Sequence, residues 1–564
     1  MIPQEAMISS VWLPRSVECF RNYDRQTMIS DIVAGITVGL VALPLAMAFA
    51  ISSGLPPESG LYCAVVTGFI ISALGGTKTQ IGGPTGAFVV VISGIVAKYG
   101  VDGLFICTLM AGVILILLGI TGMGTAVRFI PRPVVIGFTN GIALLIASTQ
   151  IKDFFGIQLD KVPGEFLLRM EALALHASSA SLVTTALGTF ALAIVLFTPK
   201  IIKRVPGQIA AMMIGTALSV ALGLQVETIG SKFGGIPSGL PVLHIPVFKA
   251  SLLLPLLSPA LTVAMLGAIE SLLSAVVGDR LSGDQHKPNV ELIAQGVANV
   301  VSPLFGGLPA TGAIARTATN IRSGGKTPVA GMVHSLTILA VLLFAAPLVK
   351  FVPLSVLAAI LFVVSWNMGE WREIPEILKL SWADKSVWMI TFFLTVVADL
   401  TVAVEVGMIL AALLFIRRVS VTTTVSEVTP EYISDNRAHI LQDKVIPDYV
   451  RVFRIHGPFL FGATSKLETI VNQLNELPEI VVLRLRNMTA IDGTGLEAFE
   501  DLADKLNQSG RSLILCGARE QPAALIQRVD FAHKVGARNI CFTIDDALSR
   551  AAELHHNKRQ LGND

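Results

Sequence analysis

Gly82-Gly83-Pro84-Thr85-Gly86-Ala87 and Gly307-Leu308-Pro309-Ala310-Thr311-Gly312-Ala313 are the two stretches on which the fold turns. Each is a Gly- and Pro-rich approach to an apolar run shorter than the roughly 20 helical residues that cross a bilayer core. Thr85 and Thr311 lie 226 positions apart. The same offset carries Ala42-Leu43-Pro44-Leu45-Ala46 onto Ala268-Ile269-Glu270-Ser271-Leu272, and both of these stretches sit inside apolar runs. About seven apolar segments separate the copies. A repeat of odd length reverses orientation, so the two halves are predicted to be inverted. Paired, Gly/Pro-interrupted short helices in inverted halves mark secondary transporters, with the binding site near the midplane. Two facing helix starts would expose unpaired N–H groups and positive dipole ends, which is an anion site built mostly of backbone. Ordinary Pro-broken helices are the alternative, and the matched positions in the two halves weigh against them.

Composition agrees. Of 564 residues, 53% are hydrophobic and only 15% charged, against roughly 25% charged in a soluble domain. The chain reads as an α-helical polytopic membrane protein with about 14 transmembrane segments in a 7+7 inverted repeat. These fall between Ile32 and Phe415, with Pro84–Ala97 and Gly103–Gly122 read as separate segments, and several are too short to span alone. An even count puts both ends on one side. With the N-terminus inside, 18 Lys and Arg fall on the inside and seven on the outside, so the positive-inside rule makes both termini cytoplasmic. The first thirty residues have no short apolar core before a cleavage site, so no signal peptide is expected.

The chain changes character near Val419. Residues 1–420 hold 47 Lys, Arg, Asp and Glu, whereas residues 421–564 hold 35. The expected organisation is a cytoplasmic N-terminal segment at 1–30, a membrane part at 31–418, a linker at 419–445, a soluble domain at 446–556 and a polar tail at 557–564. In the soluble domain, strands at Tyr449–Ile455, Ile480–Leu485 and Leu513–Leu515 alternate with helices at Ala463–Leu477, Pro522–Val529 and Asp546–Leu554. That alternation predicts a small α/β sandwich.

Two charges fall inside the membrane part. Glu270 sits mid-helix, where a close relative, Asp, costs roughly 2.5–3.5 kcal/mol to insert. Such a carboxyl group usually faces a cavity and carries a proton or coordinates Na⁺. Ser274, one turn later, can supply an oxygen to Na⁺. Arg316 follows the second short approach and either adds positive field at an anion or neutralises Glu270. Thr85 and Thr311 offer hydroxyls at the helix starts, and Thr85 can equally be a helix cap. In the soluble domain, Asp492 or Thr494 reads as a helix N-cap; phosphorylation of Thr494 is the sharper alternative.

Other functions find no support. There is no phosphate-cradling loop, metal-ligand cluster or nucleophile elbow, so no enzyme activity, cofactor or metal is expected. The net charge of +2 gives no bias toward nucleic acid. The five cysteines form no CxxC pair. His555 and His556 sit in a polar tail with no expected role.

Several of these residues resemble one family, the sulfate permease (SulP) anion transporters, bacterial relatives of the SLC26 carriers. The resemblance rests on Asp31-Ile32-Val33-Ala34-Gly35 leading into Leu43-Pro44, on Gly83-Pro84-Thr85, and on Gly312 to Thr327 with its Ala315-Arg316-Thr317 and Ser323-Gly324-Gly325-Lys326-Thr327. The loop Asp492-Gly493-Thr494-Gly495 resembles the signature of the STAS domain, the family's cytoplasmic module. The resemblance implies core and gate domains that move in an elevator-like cycle, a homodimer in the cell membrane, and a STAS domain with its own protein partner. It implies an anion between Thr85, Gly86 and Ala87 on one side and Gly312 and Ala313 on the other, with Glu270 at the coupling position; Pro84, Thr311 and Arg316 complete the candidate anion site, and Ser274 the candidate coupling site. Two departures matter. Leu45 stands where many sulfate-transporting members have Gln, and Ala315 where many have Ser. The site thus has fewer side-chain donors, which leaves sulfate, bicarbonate and dicarboxylate open. Glu270 favours H⁺ over Na⁺ as the coupling ion. An uncoupled channel or exchanger and a STAS-based signalling scaffold are the competing functions.

Overall fold

The computed structural model describes residues 12–561 except 21–22, 125–130, 160–161, 203–205, 238, 242, 244–248, 399, 429–444 and 530. It forms two compact units, Met1–Ile409 and Leu410–Asp564.

The first unit is helical. A short α1 (Arg15–Phe20) precedes α2 (Arg25–Ser52) and α3 (Pro57–Leu74). Asp24 caps α2 by accepting from Thr27 N–H, and Pro57 opens α3 at a position where its missing N–H costs nothing. After strand β1 (Gly82–Gly83), a 3₁₀ turn at Gly86–Phe88 runs into α4 (Val89–Ile120). Then come α5 (Arg132–Phe155), α6 (Leu182–Ile201) and α7 (Gly207–Ala221). The second half runs α8 (Leu253–Ser282), α9 (Pro288–Val301), β2 (Thr311–Gly312), α10 (Ile314–Arg322), α11 (Pro328–Phe344), α12 (Leu354–Met368), α13 (Trp382–Val397) and the first part of α14 (Leu400–Thr422).

Among the described residues, seven helices are long and apolar enough to cross a membrane, and α7 and α11 are shorter apolar helices. Two segments expected to be separate, Pro84–Ala97 and Gly103–Gly122, share α4, which breaks at Gly100 (φ 73°, ψ −177°). The remaining expected segments fall on α7, α9, α10, α11, α13 and α14.

Helix packing follows the repeat. The 226-residue offset maps α2 onto α8, α3 onto α9 and the far half of α4 onto α11, and carries β1 to within three residues of β2. Contacts are reciprocal under that exchange: α11 packs on α2 and α3, as α4 packs on α8 and α9. Farther along, α12 packs on α6 as α5 packs on α13. β1 and β2 pair antiparallel, Gly82 opposite Gly312 and Gly83 opposite Thr311. The chain therefore passes through the crossing in opposite directions in the two halves, as an inverted repeat requires. A brace explains two of the sequence motifs. The Asp31 carboxylate accepts from Lys326 N–H (2.7 Å), Thr327 N–H (3.2 Å), the Thr327 hydroxyl and the Tyr23 hydroxyl (3.1 Å). It ties α2 to the start of α11.

The second unit is an α/β sandwich on a five-stranded sheet of order β3-β4-β5-β6-β7. The strands are β3 (Thr424–Glu427), β4 (Val450–Phe459), β5 (Ile480–Ile491), β6 (Ser512–Cys516) and β7 (Ile540–Cys541). β3 pairs antiparallel and the rest pair parallel. Helices α15 (Gly493–Gln508), α16 (Glu520–Arg528) and α17 (Ile544–Leu561) cover it. Phe459, Leu483 and Phe499 lie in one apolar layer, and Val452, Val482 and Ala551 in the other. Covered on both faces, β5 is buried without alternation over its first six residues.

Several expectations are corrected. The helix expected over Ala463–Leu477 is a 3₁₀ stretch (Phe461–Leu467), a single turn (Glu468–Asn472) and another 3₁₀ turn. The expected linker at 419–445 begins inside α14 and contains β3; its remainder, 429–444, lies outside the described residues, as do 1–11 and 562–564. His555 is not in a polar tail. It lies on α17, its ring stacked on Tyr449 (centroids 4.0 Å apart, 2° between planes) and its Nδ1 2.9 Å from a Glu479 carboxylate oxygen.

Candidate functional site

The crossing of β1 and β2 sets two helix starts beside each other. On the first arm, Thr85 is the last extended residue (φ −126°, ψ 159°) before the turn at Gly86. On the second, Ala313 holds that place before α10 (φ −99°, ψ 109°). Neither makes a side-chain cap bond. Gly86 and Ala87, and likewise Ile314 and Ala315, therefore open their helices with N–H groups that have no intrahelical partner. Ile314 and Ala315 are exposed, while Gly86 and Ala87 are buried.

The capping role considered for Thr85 is not adopted. Its hydroxyl instead donates to Glu270 Oε2 at 2.9 Å. Glu270 projects from the middle of α8, and a hydrogen bond to a charged group of this kind contributes about 1.5–3 kcal/mol.

Arg316 is 3% exposed on the first turn of α10. Its Nη2 donates to the Pro84 carbonyl oxygen on the opposite arm, and its Nη1 has no partner among the described residues. Arg316 and Glu270 form no ion pair within 4.0 Å, though they are near enough to attract. The pairing considered from sequence thus gives way to a different arrangement. Arg316 braces one arm against the other and adds positive field from behind the helix starts.

Thr311 and Gly312 occupy a different place from the one expected. The Thr311 hydroxyl lies 2.7 Å from Ser271 Oγ and donates to the Gly267 carbonyl oxygen at 3.1 Å. Gly312 N–H donates to Ser271 Oγ at 3.1 Å. Both are fully engaged with α8, so they hold the arm in place and leave the open donors to Ile314 and Ala315. Ser274 is likewise occupied: its hydroxyl lies 3.1 Å from Thr317 Oγ1, which in turn accepts from Ile81 N–H.

Sequence reasoning missed the apolar side of the site. A Cβ on Gly86 would stand 2.9 Å from Ile146 Cδ1, 3.2 Å from Met368 Sδ and 3.2 Å from Phe49 Cε1. Those three side chains come from α5, α12 and α2. They keep water from one flank of the helix start, where a low dielectric strengthens every charge interaction. Leu45, also on α2, is buried. No local signal marks these residues, since each lies in an unbroken apolar helix.

The second unit treats its helix start differently. Asp492 caps α15, its Oδ1 accepting from Gly495 N–H at 2.8 Å and its Oδ2 from Phe461 N–H at 3.0 Å. Thr494 is exposed one residue into the helix. Among the described residues no cluster of three His, Cys, Asp or Glu is placed to hold a metal.

Known proteins share both units. The profile of the Sulfate permease family matches residues 28–391, and that of the STAS domain matches residues 442–547. A putative sulfate transporter of Bacillus subtilis, YvdB, is 39% identical over 522 residues, spanning 92% of this chain and 97% of that one. The bicarbonate transporter BicA of Synechocystis is 32% identical over 535 residues, spanning 92% and 94%. The solved murine Slc26a9 anion transporter superposes with a TM-score of 0.85 at 18% identity, spanning 98% of this chain and 96% of its own, a likeness of fold.

Proposed function

As this chain belongs to the sulfate permease family and carries its STAS domain, we propose that it is a proton-coupled secondary transporter of a small oxyanion, of the sulfate or bicarbonate class. The anion would sit on the open N–H groups of Gly86–Ala87 and Ile314–Ala315, with Arg316 supplying field behind them.

One observation carries the coupling. The Thr85 hydroxyl at the open helix start donates to Glu270. With Glu270 ionised, that donor is consumed and a negative charge lies beside the anion's place. Adding a proton to Glu270 removes the like charge and releases the Thr85 hydroxyl to the anion. Proton and anion then bind together or not at all, which is symport. Na⁺ coupling has less support, because the Ser274 hydroxyl is paired with Thr317.

The remaining parts of the proposal follow from the resemblance, from the loop charges for the side of the termini, and from the α15 sequence for Thr494. A core domain moves against a gate domain in an elevator-like cycle. The protein works as a homodimer in the cell membrane with both termini cytoplasmic. The STAS domain regulates through Thr494, where a phosphate would meet a helix N-terminus.

The test is uptake of sulfate and of bicarbonate into proteoliposomes under an imposed pH or Na⁺ gradient. Accumulation driven by the pH gradient without Na⁺ is the expected result. If neither anion moves under either gradient, the proposal fails; if only a Na⁺ gradient drives uptake, the role of Glu270 as proton carrier is lost.

A further inference from the structure

Glu291 stands on the first turn of α9, fully buried, and the coupling scheme makes no use of it. Its carboxylate meets four donors. Oε2 accepts from Gly76 N–H and from the Thr77 hydroxyl, both at 2.9 Å. Oε1 accepts from Gln80 Nε2 at 3.0 Å and from Gln295 Nε2 at 2.9 Å. An ionised carboxylate has about four acceptor positions and no donor, so its capacity is filled.

Three of those donors belong to residues 76–80, the stretch that feeds β1. Gln80 reaches further. A Cβ on Gly312 would lie 2.0 Å from Gln80 Nε2 and 2.6 Å from its Cδ. The Gln80 amide is therefore wedged between Glu291 and β2. Its oxygen has no partner among the described residues, so Glu291 is what holds the amide in that position. Neighbouring bonds fix the same loop: Asn320 Nδ2 donates to the Thr79 carbonyl oxygen at 2.8 Å, and Ala313 N–H to the Ile81 carbonyl oxygen at 2.8 Å.

We propose that Glu291 is a positioning residue for the anion site: through Gln80 it sets where β2, and with it the first turn of α10, stands against β1. This rests on the anion site proposed above. Glu291 touches neither Glu270 nor Thr85, so its loss misplaces the backbone donors without disturbing the coupling pair. The effect falls on anion affinity and not on turnover.

The experiment measures pH-gradient-driven uptake by the full chain in proteoliposomes, with whichever of sulfate and bicarbonate the wild type moves. Glu291→Gln turns one acceptor oxygen into an amide NH2 donor facing other donors. KM is expected to rise about tenfold, with the maximal rate kept within about twofold. A second arm holds even where Glu291→Gln does not fold. Gly312→Ala drives its methyl into the Gln80 amide and raises KM, and Gln80→Ser alone raises it less. With Gln80 already shortened, adding Gly312→Ala has a much smaller effect, the remainder coming from Ser271 Cα, which would stand 3.2 Å from the new methyl; such non-additivity is expected of residues in contact. An unchanged KM in folded Glu291→Gln, or additive effects of Gly312→Ala and Gln80→Ser, overturns the proposal. A wild type that moves neither anion is a separate result, which removes the anion site itself and this inference with it.

Discussion

Two helix starts in this molecule follow similar sequences and meet opposite fates. Asp492-Gly493-Thr494-Gly495 opens α15 in the STAS domain, and its Gly495 N–H is capped by the Asp492 carboxylate. Pro84-Thr85-Gly86-Ala87 opens the helix at the strand crossing, and its hydroxyl turns away to Glu270. α10 opens after Ala313, which has no side chain to cap with. The α15 start receives a side-chain cap of a kind that contributes about 1 kcal/mol. The two starts at the crossing forgo it, and an anion can take the place of a cap.

The strongest way to break that contrast is to cap the site. Ala313→Asp places a carboxylate at the start of α10. Uptake should fall at least about a hundredfold, because a fixed like charge costs a bound anion several kcal/mol. Size-exclusion profile and melting temperature should hold, showing that the fold gains a cap while the site is lost. Next in size is Arg316→Lys, which keeps the charge but not the planar fork that reaches Pro84. Anion affinity, read by thermal shift across an anion titration, should weaken about tenfold. Thr85→Val removes the hydroxyl that donates to Glu270 and, in the proposed site, to the anion. Proton-driven uptake should drop about tenfold, with a smaller change in anion exchange at equal pH. The smallest effect lies at the other helix. Asp492→Ala should speed amide exchange at Gly495 and Leu496 about fivefold, the equivalent of one lost cap, with uptake unchanged.

Much of this was legible in the sequence because it depends on periodicity and charge. The inverted halves showed in the spacing of Thr85 and Thr311, and Glu270 and Arg316 stood out as charges in apolar helices. The parallel strands of the second unit showed as apolar runs between helices. What stayed hidden depends on contacts between distant residues. Thr311 looked like a helix-start donor, yet two extended residues pair it into β2 and turn its hydroxyl to Ser271. Ser274 looked free for a cation until Thr317 met it. Asp31 and the Ser323–Thr327 loop were recognisable as motifs, but their joint purpose appears only where α2 meets α11. β3 and β7 were missed because four residues and two are too few to show an alternation. His555 lay beyond the last apolar periodicity, and only the fold brings Tyr449 and Glu479 to it.

The central claim is that the open helix starts bind the anion and Glu270 ties that binding to a proton. It is tested most directly by Glu270→Gln in proteoliposomes, with pH-gradient-driven accumulation and anion exchange at equal pH measured on the same preparation. Gln keeps the size of the side chain and mimics its protonated form, so accumulation should vanish while exchange persists. Continued accumulation driven by the pH gradient, or loss of exchange along with it, would contradict the account.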